Sequence, residues 1–198
     1  MKECPQDMTT TIGLVYNDGV ILGSESRATE GYFIASKEAP KIYKITEKIG
    51  MTISGGVADC QQMVKTIRAL TNIRRMEIGH DVSVKSLAQL TSVALFQNRL
   101  APYISELIIG GVDEAGSHLY TLDPLGSLIL EEHYTATGSG SIVALGVLES
   151  QFKDSMTQEE AVALISSAIT AAKSRDIASG GPLQIIAVTR KDGYKDVK

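Results

Sequence analysis

At 198 residues, 43% of them hydrophobic, the chain can bury one sizeable core, and no shift in composition divides it in two. Nineteen Lys plus Arg stand against 23 Asp plus Glu, a net charge of −4 with both signs scattered, which excludes the basic stripe that nucleic-acid or membrane-surface binding requires. No apolar run approaches transmembrane length, the first residues lack the apolar core of a signal peptide, and Cys4 and Cys60 form neither a disulfide framework nor a metal-binding spacing, so the reading is a cytoplasmic protein with reduced thiols and no metal or cofactor.

Met1 to Met8 carry no strand or helix pattern. From Thr9 the chain changes character: Thr9 to Tyr16 and Val20 to Arg27 are β-branched, apolar-rich runs about Asn17-Asp18-Gly19, a hairpin signal. A three-residue loop with Gly19 at positive φ pairs Tyr16 with Val20, Thr11 with Glu25 and Thr9 with Arg27. Alternation then puts Thr9, Thr11, Glu25 and Arg27 on one face, a grouping that a two-residue loop would break. Two readings stand for that face. Glu25 and Arg27 form a structural pair among threonines chosen for β-propensity, or a hydroxyl nucleophile sits beside a carboxylate and a cation. Position favours the second, because a threonine freed at its N-terminus carries its own base, an α-amino group with a pKa of about 7.7 to 8.0.

Ala28 to Ala35 continues extended, Lys37 to Pro40 is a turn, and Lys41 to Ile45 and Ile49 to Ser54 are strands. Lys41 is either solvated or turned inward to pair with Glu25, where its charge would favour a deprotonated hydroxyl nearby. Gly55-Gly56 is either punctuation or a site of close ligand approach with amides free for an anion. Val57 to Met76 and Val84 to Leu95 are helices, the second capped by Ser83 with Val82 and Leu87 as a hydrophobic staple. Leu107 to Val112 is a buried strand, Leu119 to Leu122 another, and Asp123 to Gly126 a type I turn leading to a return strand, Ser127 to Tyr134. Thr137-Gly138-Ser139-Gly140-Ser141 opens a helix to about Lys153, as a plain cap or an anion cradle. Thr157-Gln158-Glu159-Glu160 is a capping box for a helix to Arg175. Asp176 opposes the helix dipole and so requires a specific partner, for which Arg175 is the plain candidate. Leu183 to Thr189 is a last buried strand before a Lys191-Asp192-Gly193 turn. Strands, two helices, strands, two helices and strands bury every apolar stripe if two antiparallel sheets pack face to face with one helix pair over each outer face, an α+β fold in a four-layer α/β/β/α sandwich.

This constellation resembles the proteasome β subunits of the archaeal type, in the N-terminal nucleophile hydrolase group. The likeness covers nearly all of Thr9 to Gly193, through Thr-Thr-Thr-Ile-Gly, Glu-Ser-Arg-Ala-Thr, Ser-Gly-Gly-Val-Ala-Asp, Gly-Gly-Val-Asp, Leu-Asp-Pro-Leu-Gly, Ala-Thr-Gly-Ser-Gly-Ser and Arg-Asp-Ile-Ala-Ser-Gly-Gly in that order. The resemblance implies a threonine endopeptidase in which Thr9 is the nucleophile, Glu25 holds Lys41, Lys41 tunes the Thr9 hydroxyl, and Arg27 supports them. It places Ser139, Asp176 and Ser179 around the Thr9 amine and the Gly55 amide at the oxyanion. Ala28, Ala39, Ile53 and Val57 match the first specificity pocket, which implies cleavage after large apolar residues; Thr29, Gly55 and Val57 match the edges that bind substrate backbone as an added strand. No histidine takes part: His80, His118 and His133 match no motif, and a Ser-His-Asp hydrolase is poorly supported. The related bacterial two-component peptidase fits the Gly-Ser-Gly-Ser and Arg-Asp-Ile-Ala-Ser-Gly-Gly motifs less well.

By the same resemblance, residues 9–198 are a single catalytic domain, partnered by proteasome α subunits within homo-oligomeric or mixed heptameric β rings. A regulatory ATPase feeds the particle unfolded protein, and neither nucleic acid nor membrane is a partner. Residues 1–8 are a short propeptide or an alternative-start segment. The family commonly has glycine before the nucleophile, whereas Met8 stands here. Either self-cleavage tolerates Met8, or translation starts at Met8 and an aminopeptidase removes it. If Thr9 is never freed, the chain is instead a structural or latent β subunit.

Overall fold

The structure, a computed structural model, describes residues 9–30 and 33–197. Met8, Cys4 and the rest of the expected propeptide lie outside the described residues. The elements are β1 (Thr11–Tyr16), β2 (Gly19–Glu25), β3 (Ala28–Glu30), β4 (Phe33–Ser36), β5 (Ile42–Thr46), β6 (Ile49–Gly55), α1 (Val57–Ile78), α2 (Val84–Gln97), β7 (Ser105–Asp113), β8 (Gly116–Leu122), β9 (Leu128–Glu131), β10 (Tyr134–Thr137), α3 (Ser141–Gln151), α4 (Gln158–Arg175), β11 (Leu183–Thr189) and β12 (Gly193–Asp196).

Two five-stranded antiparallel sheets, ordered β10-β1-β2-β11-β12 and β5-β6-β7-β8-β9, account for the strands except the small β3-β4 ribbon. Period-two alternation divides each strand between two apolar layers. Ile12, Leu14 and Ile21 pack with Leu164, Ile165 and Ile169 beneath α3 and α4. Met51, Ile53, Leu107 and Ile109 pack with Met63, Ile67 and Leu87 beneath α1 and α2. Val20, Leu22, Ile108, Leu119, Ile186 and Val188 fill the space between the sheets. The result is the four-layer sandwich expected from the order of elements. Local chemistry sets the helix starts as expected: Ser83 accepts from Ser86 N, and Thr157 and Glu160 close a reciprocal capping box.

Three expectations are corrected. The β1–β2 loop has two residues, with Tyr16 opposite Gly19 and Thr11 opposite Ser24, so Thr9, Thr11, Glu25 and Arg27 do not share a face by register. Gly19 is not at positive φ; it is needed because β11 approaches so closely that a Cβ would lie 2.1 Å from the Val188 carbonyl oxygen. The return strand after the Asp123 turn is not one strand. It breaks after β9, and Tyr134 onward crosses to the other sheet, where β10 pairs with β1 from Thr11↔Thr137 to Leu14↔Tyr134. Finally, Gly193 is the first residue of β12, which pairs with β11 at the edge of the first sheet.

Candidate functional site

The site forms where β1 and β2 end, because the hairpin register brings the chain before Thr11 beside Glu25. Glu25 is 0% exposed, so its carboxylate must be satisfied from within. Oε1 accepts from the Thr9 hydroxyl at 2.6 Å, from Thr10 N at 3.3 Å and from Lys41 Nζ; Oε2 accepts from Arg27 N at 2.7 Å and Gly180 N at 2.9 Å. Lys41 Nζ also donates to Thr9 Oγ1. Lys41 thus points inward, 7% exposed, and Glu25 pairs with it and not with the Arg27 guanidinium. Burial pushes the Lys41 ammonium below the usual lysine range, and the Glu25 carboxylate opposes that shift in part. A lysine so placed can exchange a proton with the hydroxyl it touches. Arg27 extends the other way, donating from Nη1 to Ile177 O at 3.0 Å, with Nε buried and without a hydrogen-bond partner among the described residues.

A second group surrounds the Thr9 nitrogen. Thr9 N donates to Ser139 Oγ at 3.2 Å, and Ser139 Oγ donates to Asp176 Oδ2 at 2.7 Å. Ser179 Oγ donates to the same oxygen at 2.5 Å and lies 2.7 Å from Thr10 Oγ1. The partners of Asp176 are therefore these serines, with Ala178 N on Oδ1, and not Arg175. The Gly-Ser-Gly spacing follows from close packing: Gly138 has φ 89°, and a Cβ there would lie 2.3 Å from Thr9 O, while a Cβ on Gly140 would lie 2.0 Å from Thr10 Oγ1. Only a residue without a side chain lets Ser139 reach the nitrogen.

Thr9, 2% exposed, borders a cavity of about 260 Å³. Ala28, Thr29, Ala39, Ile53, Gly55 and Val57 all line it. Lining residues that the sequence did not mark as site residues include Tyr43, Cys60 and Gln61. Periodicity carried the signal for each, since Tyr43 lies two residues from Lys41 on one strand face, and Cys60 and Gln61 lie three and four residues from Val57 on one helix face. The histidines stand elsewhere, His118 against Asp113 at 3.3 Å and His133 near Asp154 at 3.9 Å. Among the described residues, no group of three or more His, Cys, Asp and Glu side chains could hold a metal ion, and no helix is long and apolar enough to cross a membrane.

Two facing antiparallel sheets between helix pairs, with a threonine at the open end of the first strand, make the architecture that of the N-terminal nucleophile hydrolases. A model of the family described as "Proteasome subunit" matches residues 7–188. The chain is 48% identical over 183 residues to a "Proteasome subunit beta" of Methanocorpusculum labreanum, covering 92% of this chain and 86% of that protein. It is 45% identical to the protein of that name from Ferroglobus placidus (93% and 88% covered) and 43% identical to that from Methanoregula boonei (96% and 88%). The chain belongs to the proteasome subunit family and is of the archaeal β type.

Proposed function

We propose that the chain is the catalytic β subunit of a 20S-type particle, a threonine endopeptidase acting through Thr9 once residues 1–8 are gone. The observation that carries this reading is that one threonine is gripped at both ends. Its hydroxyl is held by Glu25 and Lys41, and its nitrogen by Ser139 and, through it, Asp176, at the edge of a cavity of peptide side-chain size. In the full-length chain that nitrogen is a peptide amide; after removal of residues 1–8 it is an amine, hydrogen-bonded as it was but now able to take a proton.

Thr9 Oγ attacks the substrate carbonyl, and its proton passes to the α-amine directly or through a water. Lys41 favours the alkoxide by its charge, and Glu25 keeps Lys41 in place. The Gly55 amide donates to the oxyanion. The amine returns the proton to the departing nitrogen, and water then hydrolyses the Thr9 ester. Ala28, Ala39, Ile53 and Val57 line the side-chain cavity with small or aliphatic groups, which suits cleavage after large apolar residues, and Thr29, Gly55 and Val57 bind the substrate backbone. The subunit works in the cytoplasm within heptameric β rings flanked by α subunits, with an ATPase supplying unfolded protein.

Intact mass of the subunit, after co-expression with its α partner and isolation of the particle, tests this reading. Loss of residues 1–8, with hydrolysis of fluorogenic peptides that Thr9→Ala abolishes, is the expected result. Retention of those residues in a fully assembled, inactive particle would overturn it in favour of a structural subunit. The Thr9→Ala mass also separates the routes, because self-cleavage stops while aminopeptidase trimming persists.

A further inference from the structure

Ser139 lies in a turn that its own sheet holds on one side, where Gly140 N donates to Thr9 O at 3.2 Å and Ser139 Oγ lies 3.4 Å from the same oxygen. Gly138 brings no side chain, and the Thr137–Ser139 turn borders an open cavity of about 580 Å³, so packing does not hold it on the cavity side. A further hold comes from the opposite sheet. Ser54 and Glu106 are cross-strand partners on β6 and β7, and so present their side chains on one face. Ser54 Oγ donates to Thr137 Oγ1 at 3.2 Å, and Glu106 Oε2 accepts from Gly138 N at 3.1 Å. These are the two residues immediately before Ser139. Thr137 Oγ1 is also 2.7 Å from Thr11 Oγ1, to which Thr52 donates at 3.1 Å, so the hydroxyl chain runs back to the strand that bears Thr9.

Glu106 makes the charge-assisted bond of this pair and neutralises nothing in doing so, since its partner is a backbone amide. We infer that Glu106 is a positioning residue: by holding Gly138 N it sets the Ser139 hydroxyl between Thr9 N and Asp176, and so orients the Thr9 amine for proton transfer. Its partner in register, Ser54, immediately precedes Gly55, so one face of the second sheet ties the amine side of the site to the oxyanion side. The inference rests on the proposed peptidase function, and its test separates the two.

The experiment is a double-mutant cycle on the assembled, processed particle, with kcat and KM for a small fluorogenic peptide measured across pH. Glu106→Ala is expected to lower kcat roughly tenfold with KM within about twofold, and to shift the acid limb of the pH profile. Glu106→Gln, whose amide oxygen can still accept from Gly138 N, is expected to restore most of the loss. In a Ser139→Ala background, Glu106→Ala is expected to cost nothing further, because its effect passes through Ser139. Thr137→Val, of nearly the same shape, is expected to reproduce the kcat loss in a weaker form, and Thr137→Ser to rescue it. Equal Glu106→Ala losses with and without Ser139, or a Gln variant no better than Ala, would overturn the inference. A crystal structure of the Glu106→Ala particle decides the matter without activity: Ser139 Oγ leaves hydrogen-bond reach of Thr9 N if the inference holds, and stays at 3.2 Å if it does not. A processed wild-type particle that hydrolyses nothing would defeat the proposed function while leaving this structural arm decisive.

Discussion

Two carboxylates stand on opposite sides of Thr9, Glu25 in direct contact and Asp176 through Ser139, and they are built differently. Glu25 is wholly buried and satisfied by a cation, a hydroxyl and three backbone amides; Asp176 is partly buried at the end of α4 and satisfied by two serine hydroxyls and one amide. A buried carboxylate facing an ammonium tolerates loss of its partner poorly, because the remaining charge has nowhere to go. A carboxylate bound only by neutral donors near the surface can lose charge and keep part of its network. The hydroxyl side of the site is thus tied to folding, and the nitrogen side is free to be tuned.

The sharpest break is Thr9→Ala, which removes the hydroxyl that Glu25 and Lys41 hold and keeps the nitrogen that Ser139 holds. Hydrolysis is expected to fall at least about a thousandfold, read on fluorogenic peptides, with stability little changed. Next is Lys41→Ala. It should cost about 3–5 kcal/mol of stability by stranding Glu25, and about a hundredfold or more in kcat; denaturant unfolding and peptide hydrolysis on one preparation measure both. Asp176→Asn should separate the two sides, lowering kcat about tenfold while stability stays within about 1 kcal/mol, measured the same way. A stability loss as large as that of Lys41→Ala would erase the contrast.

A smaller effect follows from the lowered Lys41 pKa. Between that lowered value and the ordinary lysine pKa of about 10.4, the unfolded chain holds a proton that the folded chain has released. The contribution of this group to stability therefore rises with pH across that window and is flat below it. Thermal unfolding followed as pH is raised from neutrality towards about 10.4 should show this rise in the wild type and lack it in Lys41→Met. Smallest is Thr157→Ala, remote from both carboxylates, which should cost about 1 kcal/mol through the lost capping box and leave kcat unchanged.

The chain showed its local structure in its local chemistry. Ser83 and Thr157 announced helix starts, alternation announced the strands, and the Asp123 turn closed as its Pro and Gly required, with Gly126 N donating to Asp123 O. The β1–β2 register was misread because Gly19 has two possible uses. A positive φ could be read from the hairpin alone, whereas the approach of β11, some 170 residues later in the chain, could not. The split between β9 and β10 was hidden for a similar reason: Ser127 to Tyr134 reads as one extended run, and only the edge of β1 in the first sheet draws Tyr134 across from the second. At the site, Thr9, Glu25 and Lys41 were legible as residue types, and Asp176 as an anomaly at a helix end. The Gly180 amide on Glu25 was not legible, since a backbone donor carries no side-chain signature.

The sequence by itself determined where the helices and most strands lie, the four-layer order, and which residue types stand near Thr9 in the hairpin, because each of these depends on neighbours a few positions away or on residue type. Only the tertiary structure decided which partner each charge takes. Glu25 had Arg27 two residues away and Lys41 sixteen away, and Asp176 had Arg175 adjacent, yet burial left Glu25 beside Lys41, and close glycine packing brought Ser139 to Asp176. Desolvation and the absence of a Cβ act through contacts between distant segments, and no stretch of chain read alone contains them.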